Sequence, residues 1–97
     1  MLLQFSVAKV EQQLVVILTN TLFHDIDVLL IALIKPMSET PVLEHFHITV
    51  SIDSEPYFID LLDIASVSKG RLKSINISFL NYQQKIKSGL DLLIDGF

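Results

Sequence analysis

Ile48-Thr49-Val50-Ser51-Ile52-Asp53-Ser54-Glu55-Pro56-Tyr57-Phe58-Ile59-Asp60-Leu61-Leu62 carries strand, turn and return strand in one run. Ile48, Val50 and Ile52 alternate with Thr49 and Ser51, the two-residue period of a strand buried on one face. Asp53-Ser54-Glu55-Pro56 is turn chemistry, so residues 57–62 are expected to return as a second strand. Upstream, residues 28–34 are apolar on both parities, as in a strand covered on both faces, although a buried helix has the same short pattern. Lys35-Pro36 is expected to end that element, because proline lacks an amide proton and restricts the residue before it. Residues 5–10 read as a strand, 11–13 as a turn, and the β-branched run 14–19 as its hairpin partner. Residues 20–27 read as a loop with apolar tips. Downstream, Ile75, Ile77 and Phe79 alternate with Ser74, Asn76 and Ser78 as a further strand.

Residues 81–97 read as one amphipathic helix. Tyr82, Ile86, Leu90, Leu93 and Phe97 recur at spacings of three and four and share one side, with Lys85, Lys87, Ser88, Asp91 and Asp95 largely elsewhere. Gly96 sits where a helix usually ends, since glycine takes a left-handed conformation at little cost. The aromatic Phe97 after it is either packed or offered to a partner. Five or more short strands and one terminal helix predict a mainly β fold, a small, strongly bent antiparallel sheet or partly open barrel. Several strand orders remain compatible with such short runs.

The chain has 97 residues, 51% of them hydrophobic and 19% charged, which suits a single domain over residues 1–97. Hydropathy this high in so small a domain points to apolar surface covered by a partner or a second copy. A net charge of −4 argues against broad non-specific nucleic-acid binding, which needs a basic surface. With no cysteine, neither a disulfide scaffold nor a thiolate zinc site is available, and a cytoplasmic setting is expected. The opening MLLQFSVAKVEQQ lacks the pattern of a secretory signal, and residues 28–34 are too short to span a bilayer.

Candidate chemistry is sparse. His45 and His47 lie two apart and could share a metal with His24 or Glu44, but without a placed third ligand rim residues are the better reading. Asp25/Asp27 and Asp60/Asp63 have the spacing of paired carboxylates, although such residues in loops and at strand ends usually cap or are solvated. Ser66 has no glycine flanks of a nucleophile elbow, and Gly70, Gly89 and Gly96 are too far apart for a phosphate loop. No catalytic residue, metal or cofactor is expected. Lys69, Arg71 and Lys73 alternate around Gly70 as a small basic stripe, read first as a solvated rim and second as a contact for an acidic partner or phosphates. Gly89 inside the helix costs about 1 kcal/mol against alanine and marks a close approach, read as helix against helix.

The chain resembles the CcdB-type plasmid-maintenance toxins that poison DNA gyrase. The resemblance runs in one register through Phe46-His47-Ile48-Thr49-Val50-Ser51-Ile52, the acidic turn, Tyr57 and the block Asp63-Ile64-Ala65-Ser66-Val67. It continues through Phe79, Ile86, Leu90 and Leu92 to Gly96 and the apolar Phe97, and Gln4-Phe5-x-Val7 matches near the start, with a shorter first hairpin. It implies an SH3-like small barrel with a long C-terminal helix, a non-enzymatic homodimer without cofactor, and a CcdA-like antitoxin that neutralises it. DNA would be met only indirectly, through the toxin–antitoxin complex. The contact with the A subunit of DNA gyrase implied by the matching positions is Asp91, Ile94, Asp95, Gly96 and Phe97, with Asn20, Leu22 and Phe23 nearby. An acidic antitoxin segment would then meet Lys69, Arg71 and Lys73.

Asp95 departs from the family pattern, because the best-known member carries a tryptophan there. A tryptophan anchor commonly contributes about 2 kcal/mol or more, whereas an aspartate at a rim pairs with a guanidinium for about 0–1 kcal/mol. A weakened gyrase poison, one tuned to another gyrase and a diverged member all remain open. Two further readings stand beside it: a ribonuclease of the related MazF type, for which Arg71 is the available arginine, and a non-toxic antitoxin-binding or regulatory domain.

Overall fold

The computed structural model describes residues 2–23, 25–39 and 43–96; residues 1, 24, 40–42 and 97 lie outside that description. Strands β1 (Ser6–Val10), β2 (Gln13–Ile17), β3 (Val28–Pro36), β4 (His47–Ile52), β5 (Glu55–Ser68) and β6 (Lys73–Ser78) precede helix α1 (Gln83–Asp95). The strands form one antiparallel sheet in the order β4-β5-β3-β2-β1-β6, curled into a half-barrel. The expected bent β-sheet with a closing helix is what the chain adopts.

Local chemistry explains most of the element boundaries. Asp53 and Ser54 form a two-residue turn with φ of 51° and 68°, left-handed at both positions as tight hairpins require. The turn is therefore shorter than the sequence suggests, and Glu55 and Pro56 already belong to β5. Pro56 pairs with Ser51 of β4 but lies beyond the last β3 pair, Pro36↔Tyr57, so its missing N–H falls where β3 has ended. Strand β3 runs two residues past Ile34 and ends at Pro36, as the proline leads one to expect. Helix α1 begins at Gln83 after a 3-10 turn over Leu80–Tyr82, two residues later than expected, and Gly96 ends it at φ 82° with its N–H on the Leu92 carbonyl.

The sheet buries apolar residues on both faces. One core joins Phe5, Val7, Val16, Ile34, Val50 and Ile59 to Phe79 and to Ile86 of α1, and the other joins Ala8, Val15, Ile17, Ile31, Val67 and Leu72. This explains why residues 28–34 are apolar on both parities: Ala32 and Ile34 enter the first core, and Leu29 and Ile31 the second.

Strand β5 has 14 residues, far longer than the expected 57–62. Its register on β3 jumps from Leu33↔Asp60 to Ala32↔Ile64, so Leu61, Leu62 and Asp63 form a bulge with no β3 partner. Three extra residues invert the side-chain parity. Ile59 and Leu61 face the first core, and odd-numbered Val67 faces the second. A second bulge places Asn76 of β6 at φ 59°, between the pairs Val7↔Ile77 and Ala8↔Ser74.

Helix α1 is pinned at its middle. Ile86 is fully buried, and a methyl on Gly89 would stand 2.7 Å from the His45 carbonyl oxygen and closer still to the Leu61 side chain. The glycine thus marks helix against bulge, not helix against helix. Gly89→Ala gains helix propensity of about 1 kcal/mol but pushes on a backbone carbonyl, and overpacking of that kind costs about 1–3 kcal/mol. A net loss of stability in denaturant unfolding is expected; equal or greater stability would contradict the close packing.

Candidate functional site

The last turn of α1 turns its apolar residues to solvent. Tyr82 and Leu90 are partly buried against the first core, but Leu93, expected in the packed stripe, is 41% exposed and Ile94 is 76% exposed. Asp91, Ile94 and Asp95, spaced at three and four, share one exposed face that leads to Gly96. Asp91 and Asp95 stand at the negative end of the helix dipole with no basic residue in the last turn, an arrangement that works against the helix. Four of the five expected tail residues therefore form one accessible surface; Phe97 lies outside the described residues.

The loop after β2 is built by Asn20. Its side-chain oxygen accepts the Leu22 N–H at 2.9 Å and its carbonyl accepts the Phe23 N–H at 2.9 Å, giving the 3-10 turn over Thr21–Phe23. Leu22 and Phe23 point outward at 82% and 58% exposure, and Ile26, Val28 and Leu30 continue the apolar surface into β3. Helix α1 packs chiefly on β5 and on the 3-10 turn before it.

The basic residues sit on a 3-10 turn, Lys69–Arg71, followed by β6, rather than on an alternating strand rim. Arg71 lies 3.8 Å from Glu11, both well exposed. The β1–β6 register adds a residue that the sequence did not point to: Lys9 is directly across from Lys73, and both are exposed. Like charges directly opposite destabilise a sheet, so this corner concentrates positive charge at the surface. The signal lay only in the pairing of distant strands.

The carboxylates of β5 and one of the histidines have structural work. Asp60, buried in the sheet, accepts Lys35 Nζ at 2.7 Å, His47 Nε2 at 3.2 Å and the Leu62 N–H of the bulge at 3.0 Å. Lys35 also reaches Asp63 at 3.0 Å, and His47 Nδ1 accepts the Leu43 N–H at 3.2 Å. Burial alone would push the Asp60 carboxyl up, but the Lys35 hydrogen bond, the Leu62 amide and the charges of Lys35 and His47 hold it below its ordinary 3.8. Lys35 is raised above 10.5, first by its hydrogen bond to Asp60 and then by that to Asp63, against desolvation. His45 is exposed, away from this network, and His24 lies outside the described residues. No cluster of metal-ligating residues occurs among the described residues.

A cleft of about 300 Å³ lies between α1 and the approach to β4. Glu44, His45 and Ile48 line one side and Gln84, Lys85 and Ser88 the other, with Gly89 at the helix surface. No helix among the described residues is long and apolar enough to cross a membrane. Compared with models of known protein families and with curated proteins, the chain matches none.

Asp60 has a depressed pKa, so its contribution to stability is present above the unfolded carboxyl value and is lost as pH falls through the lower folded one. Asp60→Asn is therefore expected to flatten the acid limb of the stability–pH curve below the ordinary carboxyl value. Lys35→Met strands a largely buried carboxylate; because Lys35 keeps about a fifth of its side-chain surface in water, the cost is expected at about 1–3 kcal/mol. Urea unfolding across a pH series measures both.

Proposed function

We propose that this chain is a non-enzymatic toxin of a type II toxin–antitoxin system that binds the A subunit of DNA gyrase and traps the cleaved-DNA complex. The observation that carries the reading is the last turn of α1, where Ile94 is 76% exposed between Asp91 and Asp95 although the same helix buries Ile86 completely. An apolar side chain this exposed, flanked by carboxylates at the wrong end of a helix dipole, adds little to the fold and suits a partner surface with an apolar pocket and cationic rim. The likeness of Asp63-Ile64-Ala65-Ser66-Val67 and of Gly96-Phe97 to the CcdB-type toxins supports gyrase as the target. The exposed Leu22 and Phe23 offer a second apolar surface, for gyrase or for a second copy of the chain.

Neutralisation follows from the same chemistry. A disordered, acidic antitoxin segment would order itself along apolar surface and meet Arg71 and Lys73, to which the register adds Lys9. The ribonuclease alternative needs an arginine beside an acid or base in a basic groove. Arg71 instead stands on an exposed turn facing Glu11, and Asp60 is engaged by Lys35.

Removal of residues 95–97 is expected to abolish growth inhibition on induced expression in a bacterial host while leaving the thermal unfolding curve in place. Unchanged toxicity would sink the reading. Ile94→Ala is expected to weaken gyrase inhibition in a supercoiling assay with a stability change of about 0.5 kcal/mol or less, since an exposed side chain contributes little to folding. Charge reversal at Lys9, Arg71 and Lys73 is expected to lower antitoxin affinity, measured by calorimetric titration, while growth inhibition by the toxin alone stays as it was.

A further inference from the structure

The sheet has two edges, and they are guarded differently. Edge strand β6 carries Lys73 and a bulge at Asn76, two devices that discourage another strand from pairing. Edge strand β4, His-Ile-Thr-Val-Ser-Ile, has no lysine, no proline and no bulge over its six residues. The Leu61 N–H donates to the Phe46 carbonyl at 2.9 Å, one step before the pair His47↔Asp60, and this sets the alternation along the strand. Ile48, Val50 and Ile52 therefore turn their backbone groups to β5, and His47, Thr49 and Ser51 turn theirs outward. The outward His47 N–H is taken by the Leu43 carbonyl at 2.8 Å. The outward amides and carbonyls of Thr49 and Ser51 have no partner among the described residues.

We infer that β4 is a docking edge for an extended peptide segment of another protein, added as a seventh, antiparallel strand, with one polar side chain seated in the neighbouring cleft. The cleft and the edge meet at Ile48, which lines the one and belongs to the other. A residue added across from Ile48 projects on the same face as Ile48, toward Lys85 and Ser88 of α1 and Glu44. Glu44 and Lys85 have no ion-pair partner among the described residues, so the cleft presents a carboxylate and an ammonium to one guest side chain. An asparagine or glutamine, donor and acceptor together, fits that pair of charges. Residues across from Thr49 and Ser51 lie on the exposed polar face and are expected to be threonine or serine.

A second copy of the chain fits this edge less well. Pairing β4 with β4 across a two-fold axis centred on Thr49 sets Thr49 against Thr49 and Val50 against Ile48. Val50 is 2% exposed in its own core and cannot enter the cleft, and the outward His47 N–H is already bonded. The inference does not depend on gyrase as the target.

The test is a displayed library of random linear peptides of about 12 residues, selected on the folded full chain. Enriched peptides are expected to alternate β-branched or hydroxyl residues with an amide, and to slow hydrogen exchange at the Thr49 and Ser51 amides. Thr49→Pro removes an outward N–H that bonds nothing within the chain, and is expected to lower affinity about tenfold or more with the circular dichroism unchanged. Failure to enrich any peptide, peptides that map away from β4, or equal affinity in a folded Thr49→Pro variant would each overturn the inference. So would protection of both amides in the chain alone, the sign of a second copy on the edge. If Thr49→Pro does not fold, the exchange map of the unaltered chain decides. A chain lacking residues 95–97 is expected to keep its peptide binding, so failure at the helix tail and failure at β4 are read separately.

Discussion

The three-residue bulge in β5, held by Asp60 and Lys35, sets how both cores and the helix are placed. A regular strand of 14 residues would keep its odd-numbered side chains on one face throughout. Leu61, Leu62 and Asp63 invert that parity, so one strand closes the helix-covered core with Ile59 and Leu61 and the opposite core with Val67. The irregularity leaves backbone donors to satisfy: Leu61 N–H goes to the Phe46 carbonyl and Leu62 N–H to the Asp60 carboxylate. Lys35 then bridges Asp60 and Asp63, and His47 Nε2 approaches the other oxygen of Asp60. A buried carboxylate that would be costly alone becomes the clasp between β3, β4 and β5.

Leu61 also connects the bulge to the helix. Its side chain occupies the space that any residue larger than glycine would need at position 89, so the bulge sets how closely α1 approaches. With Ile86 and Gly89 buried and Leu93 and Ile94 exposed, the helix divides into an anchored half and a presented half. Packing fixes the first, and the second contributes little to stability, which leaves its residues free to be chosen for a partner.

The surfaces open to partners are distributed around this frame. The helix tail offers an apolar side chain between carboxylates, the corner of Lys9, Arg71 and Lys73 offers positive charge, and β4 offers backbone hydrogen bonds. Their chemistries differ: apolar and acidic, basic, and unpaired backbone. In contrast, the groups that invite a catalytic reading, Asp60, Asp63 and His47, are engaged with Lys35 or with one another.

By itself the sequence determined what near neighbours control: the alternating hairpin at 48–62, the left-handed stop at Gly96 and the mainly β class with a closing helix. These features rest on periodicity and turn chemistry within a few residues. The full length of β5 was hidden because the bulge breaks the alternation from which strands are read. The opposition of Lys9 and Lys73, the role of Asp60 as a capped bulge acceptor, the contact of Gly89 with Leu61 and the unguarded edge of β4 all needed tertiary structure. Each depends on which strand lies beside which and in what register, and those pairings join residues far apart in the chain through long-range packing that local patterns do not encode.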